Sequence, residues 1–235
     1  MKKFYKTVTT HSVGSGYGIL LDGKPLKTPE KDDLIVPNEA VAILLMQEWA
    51  GQDEAFDPKE MPISQIAMTA QDYIIRNRNE IEKQLKHYLE TDLICYHSDD
   101  LPERMAYEEK HWLPWLAWFN EAFGIDRPVQ KDLAITPPSD ADFEKLEHYI
   151  QSLDLHHFTL FQMLVSLSGS IILSAAFMQK EINADMLFKL SKLEELFTIE
   201  HLDIGKYGSD PIQKKEFDVL KRDFSACEAY LEALK

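Results

Sequence analysis

The sequence predicts an α+β protein: a small β-rich N-terminal domain over residues 1–60, followed by a larger, all-α helical domain over 61–235. Three observations predict it. Up to Val36 the chain is rich in β-branched, aromatic and glycine residues, with Asp22-Gly23 between two short apolar runs, a strong hairpin signal. From Pro62 onward the apolar residues recur at helical spacing. Between Phe158 and Met178 runs the longest uncharged stretch in the chain, long enough for a helix buried on nearly all sides.

Phe4 to Thr10 alternates weakly and reads as a strand. Gly14, Gly16 and Gly18 lead into Ile19-Leu20-Leu21, and Lys24 to Pro29 and Leu34 to Val36 read as further short strands. The three glycines form G-x-G-x-G, but a dinucleotide loop needs a helix next and a strand follows. Pro37-Asn38 stops the sheet and caps a helix. Val41, Leu44, Leu45 and Trp49 mark its apolar side. Phe56-Asp57-Pro58 and Met61-Pro62 form a proline-containing loop, taken as the domain boundary.

Beyond it, Ile63, Ile66, Ala67, Ala70, Tyr73 and Ile74 mark one helical face, and Glu80 to Leu89 is a charged amphipathic helix. Glu90 and Asp92 stand two apart, so they do not share a helix face as an acid/base pair would need; a turn or cap is the expected role. Leu101 to Gly124 is a long helix carrying Trp112, Trp115 and Trp118, expected in the core. Pro128 to Thr136 reads as a lone strand, and Ser139 opens a helix to about Leu153. A helix capped by Asn183 is expected to run to His201. Gly205 and Gly208 interrupt the chain, and Pro211 opens a last helix with Phe217, Leu220, Phe224, Cys227 and Leu231 as its stripe.

The uncharged run is expected as one buried helix rather than a membrane span. Ser166, Ser170 and Ser174 recur every four residues beside Gly169, which makes one face small and polar, and no basic cluster flanks either end. The chain is 45% hydrophobic, sufficient for a core, and its net charge of −15 disfavours nucleic acid and anionic membranes as partners. Cys95 and Cys227 sit in no CxxC pair and read as buried thiols in a reducing compartment. The adjacent His156 and His157 do not point one way, so no metal and no cofactor is expected. No P-loop, HExxH or GxSxG is present. The N-terminus lacks an apolar run, so a cytoplasmic location is expected.

Several stretches together resemble one family, the assembly chaperone of the catalytic head of F-type ATP synthase. They are Phe4-Tyr5-Lys6, the string from Leu21 through Asp22-Gly23-Lys24-Pro25-Leu26-Lys27-Thr28 to Pro29, Leu34 to Pro37, Glu48-Trp49 with Gln52, Asp57-Pro58, and Met61-Pro62. Thr69-Ala70 with Asp72, Thr91 to Tyr96, Leu164 to Gly169 and Leu193-Glu194-Glu195 continue the match in the same order. The resemblance implies a non-enzymatic protein that holds the unassembled α subunit, keeps it from aggregating, and releases it to the β subunit. It also implies a function for the first glutamate of the Leu-Glu-Glu motif, which is Glu194 here. Relatives of this family in eukaryotes are mitochondrial; this chain looks bacterial, or like a mature form. The family continues with a Gln and a Trp-Gly pair where this chain has Thr198, Leu202 and Asp203.

The residues expected at the partner surface are therefore Glu194, Glu195, Glu200, Trp49 and Asp92, with Glu194 at the edge of an apolar stripe formed by Leu190, Leu193 and Phe197. A competing reading is an enzyme that uses scattered acidic residues, Asp92 and Glu194.

Overall fold

A computed structural model describes residues 2–97, 101–130, 136–201 and 211–235. It is α+β: a small antiparallel sheet near the N-terminus, then helices. The chain forms two compact units. The first comprises Met1–Arg78, Leu155–Leu160 and Ala226–Lys235; the second comprises Asn79–Asp154 and Phe161–Ser225.

In the first unit, β1 (Val8–Val13) pairs antiparallel with β2 (Gly16–Leu21) from Val8 opposite Leu21 to Val13 opposite Gly16. The other edge of β2 is shared end to end by β3 (Lys24–Pro25) and β4 (Ile35–Val36). The expected Asp22-Gly23 turn is present, both residues at positive φ (49° and 78°), the backbone that a two-residue hairpin of this twist requires. Gly16 and Gly18 lie inside β2. A Cβ at Gly16 would meet Val36 O at 2.8 Å, and one at Gly18 would meet His11 Cε1 at 2.7 Å. The glycines therefore admit close strand packing.

Helix α1 (Glu39–Ala50) is capped by Asn38, whose side chain accepts from Val41 N. It buries Val41, Ala42, Leu45 and Trp49. The Glu48 carboxylate accepts from Ile63 N and Ser64 N, both at 2.8 Å, and so caps α2 (Pro62–Thr69) from another element. Residues Ala70–Ile74 then form a π-turn before α3 (Ile75–Glu90). That turn presents Gln71, whose side-chain amide accepts from Ile35 N and donates to Asp33 O, covering part of the β4 edge.

The second unit contains α4 (Pro102–Phe123), α5 (Asp140–Ser152), α8 (Ala184–Ser191), α9 (Leu193–His201) and most of α10 (Pro211–Ala233). Trp112, Leu116 and Phe119 are the buried face of α4, while Trp115 and Trp118 are only half-buried. The burial repeat is i, i+4, i+7, so a spacing of three alone drifts off the core face.

The uncharged run is two helices. α6 (Leu155–Ser168) ends at Gly169, which has φ 72°, and α7 (Ile171–Met178) begins after Ser170. The single central helix expected from composition is corrected by this left-handed residue, because a left-handed residue ends a right-handed helix. Ser170 and Ser174 are buried and Ser166 is exposed, so the serines do not form one face. The expected helix from Asn183 to His201 is likewise divided, at Lys192. Among the described residues no helix is long and apolar enough to cross a membrane. Most of the predicted lone strand around Pro128, together with Leu202, Asp203, Gly205 and Gly208, lies outside the described residues; Gln130 makes a single parallel bridge with Tyr96.

Candidate functional site

Helix α9 carries Glu194, Glu195 and Glu200, the three acidic residues expected at a partner surface. Leu193 and Phe197 bury its inner face, and the Tyr107 ring of α4 stands 5.3 Å from the Phe197 ring. This packing leaves Glu194 between the buried stripe and solvent, at the edge expected from the spacing.

Glu194 does not pair with a lysine of its own neighbourhood. Its Oε1 accepts from Arg104 Nη2 at 2.8 Å. Lys189 is held by Asp185 at 2.6 Å and Lys192 by Glu195 at 2.8 Å. Arg104 also donates through Nε to Glu108 Oε1 at 3.1 Å. The three side chains grade from inside to outside: Glu108 is 1% exposed, Arg104 22% and Glu194 37%. One guanidinium thus serves two carboxylates through donors fixed in one plane, an orientation that a rotatable lysine ammonium does not fix.

Next to this group lies a cavity of about 350 Å³ between α4, α8, α9 and α10. Phe188, Leu190, Leu193 and Leu196 give it apolar walls, and Glu200 and Lys221 stand at its margin. Lys221 Nζ sits 4.5 Å over the Phe188 ring. Burial raises the Tyr107 phenol pKa, with Glu200 adding to the rise. Burial and Lys110 lower His111, with Glu200 opposing. Met186, 41% exposed, extends the apolar surface outward.

Two expected partner residues are not at this site. Trp49 is 5% exposed in the first unit. Its Nε1 donates to Ser64 Oγ at 2.9 Å, and its ring packs against Tyr5 and Phe56. Its apolar bulk is spent on the core. Asp92 is fully buried. Its carboxylate accepts from Ser170 Oγ, Ile171 N, Ile172 N and Ile94 N, so it caps α7 and presents nothing to a partner. Burial outweighs these four hydrogen bonds and pushes its pKa up to about 6. The cap was the expected alternative to an acid/base role, and Glu90 is not among its partners.

Sequence reasoning missed Arg104 and Glu108. Their i, i+4 spacing was visible, but such pairs are common on exposed helices. Only the packing of α9 against α4 shows that this one reaches Glu194. Among the described residues no three His, Cys, Asp or Glu side chains are grouped to hold a metal.

A small sheet followed by helices, with an ion-paired acidic helix beside an apolar cavity, makes this an α+β protein whose candidate site is built for binding. The crystal structure of Atp12 from Paracoccus denitrificans matches with a TM-score of 0.88 and 26% identity, covering 100% of this chain and 98% of that one. The Agrobacterium tumefaciens protein Atu1473 matches at 0.91 and 29% identity, covering 100% and 86%. The mitochondrial protein atp12 of Schizosaccharomyces pombe is 24% identical over 205 residues, 82% of this chain and 70% of its own length. The chain belongs to the ATP12 chaperone protein family, whose sequence profile matches residues 2–120. It is thereby a chaperone of ATP synthase assembly.

Proposed function

We propose that the protein binds the unassembled α subunit of the ATP synthase F1 sector and keeps it from aggregating until it pairs with the β subunit. The client surface in this reading is the outer side of α9, with Glu194, Glu195 and Glu200, together with the neighbouring cavity. The observation that carries it is the partly exposed, ion-paired Glu194 beside apolar walls. A carboxylate so placed meets a cation on a partner while apolar neighbours exclude water. A subunit awaiting assembly exposes apolar contact surface that otherwise aggregates. The protein acts by binding, without catalysis, in the cytoplasm of a bacterium. The competing enzyme reading draws on Asp92 and Glu194, but Asp92 is committed to α7 and Glu194 to Arg104.

The test is capture. Purified α subunit of a bacterial F-type ATP synthase is diluted from urea with and without the protein. Stoichiometric co-elution on gel filtration and suppressed light scattering are expected. No co-elution and unchanged scattering would overturn the reading, and a copurifying small molecule without a protein partner would favour the enzyme.

A further inference from the structure

We infer that Glu108 and Arg104 are positioning residues for Glu194, and that the client meets a three-charge unit rather than a lone carboxylate. This rests on the function proposed above and specifies the chemistry of its site.

The argument starts from burial. Glu108 is a carboxylate with a side chain 1% exposed. Removing such a group from water is expensive unless a cation compensates, and Arg104 Nε lies 3.1 Å away. Arg104 is planar and rigid at its fork. With Nε held by Glu108, its Nη2 direction is fixed, and that nitrogen holds Glu194 Oε1 at 2.8 Å. The inner carboxylate therefore sets the orientation of the outer one. Glu108 and Arg104 share α4, while Glu194 comes from α9.

The unit links two carboxylates through one guanidinium. Arg104 takes one side of Glu194, and the exposed remainder accepts from outside. The complementary partner feature is a lysine or arginine side chain next to an apolar one, the cation for Glu194 and the apolar group for the cavity walled by Leu193 and Leu196. A mere bolt between α4 and α9 would not need Glu194 this exposed. Leu193 and Phe197 already bury the contact.

The experiment measures the affinity of the full chain for the same α subunit, with melting temperature recorded in parallel. Glu108→Gln leaves Glu194 untouched and is expected to weaken capture about tenfold. The double variant Glu108→Gln with Glu194→Gln is expected to be no weaker than Glu194→Gln alone, since residues acting as one unit are not additive. Arg104→Lys keeps the charge without the fork; it is the second probe if Glu108→Gln fails to fold, and weakened capture at unchanged melting is expected. Wild-type affinity in either Glu108→Gln or Arg104→Lys overturns the inference, as does full additivity, or a lowered melting temperature without any change in affinity. If the wild type itself captures no α subunit, the proposed function falls and takes this inference with it. That outcome is separate from intact capture in the variants, which removes the inference alone.

Discussion

The Ser170 hydroxyl donates to Asp92 Oδ1 at 2.7 Å, across 78 residues of sequence. The same serine accepts from Leu173 N at 3.0 Å, and Asp92 Oδ2 accepts from Ile171 N at 2.7 Å and Ile172 N at 3.1 Å. Together they satisfy the first N–H groups of α7, which otherwise have no partner inside the helix, and they place a negative charge at its positive end. Every α7 residue from Ile171 to Phe177 is buried, so water cannot do this job.

Asp92→Asn replaces one acceptor oxygen by a donor that faces other donors. A loss of roughly 2–3 kcal/mol is expected, from buried groups left unsatisfied, measured by urea denaturation at neutral pH. The pH dependence follows from the raised pKa. In the folded state Asp92 holds its proton up to about 6, above the ordinary carboxylate value. The folded state therefore binds more protons in that window, and stability falls as pH rises from about 4 to about 6. The Asp92→Asn variant lacks this slope, so the wild-type advantage should shrink across the window and stay level above it.

At Gly169 the backbone decides. Its φ is 72°, and a Cβ there would meet only Leu93 Cβ at an ordinary 3.8 Å. The cost of a side chain here is left-handed strain of about 1–2 kcal/mol rather than overpacking. Gly169→Ala and Gly169→Leu should then cost similar amounts, and Gly169→Asn less, because asparagine tolerates this region. A much larger loss for Leu than for Ala in thermal melting would restore the packing explanation.

Trp49→Ala should lower stability by about 3–5 kcal/mol, because the ring is buried among Tyr5 and Phe56 and its N–H serves Ser64. Soluble yield should fall first. Trp49→Phe keeps most of the packing and should recover much of the loss. A well-folded Trp49→Ala protein that fails to capture α subunit would show that the residue faces a partner.

Glu194→Gln keeps size and removes charge. Melting temperature and circular dichroism should hardly change, since an ion pair this exposed contributes only about 0–1 kcal/mol to stability. Capture of α subunit should weaken clearly, and Glu194→Lys should weaken it further by repelling the partner cation and Arg104 alike. Full capture by both variants would move attention to Glu195 and Glu200.

The sequence by itself determined the fold class, the Asp22-Gly23 hairpin, the Asn38 and Asn183 caps, the long helix ending at Gly124 and the last helix opening at Pro211. Each is set by local chemistry: turn geometry, capping side chains or apolar spacing within a few residues. The family strings were equally legible, and so was Glu194 at the edge of its stripe. Only the tertiary structure decided the rest. The break at Gly169 is not marked by any charge, because the uncharged run continues through Ser168 and Ser170 on both sides of it. Asp92 reads locally as a turn or cap residue, but its four partners, three of them 78 to 80 residues away, place it in the core as the cap of a distant helix. Trp49 and Glu48 belong to a recognisable string, yet they serve Ser64 and the start of α2. Glu194 is offered only Lys189 and Lys192 as nearby cations by local spacing. It meets Arg104, ninety residues earlier in sequence, because packing α9 on α4 brings together charges that local spacing cannot relate.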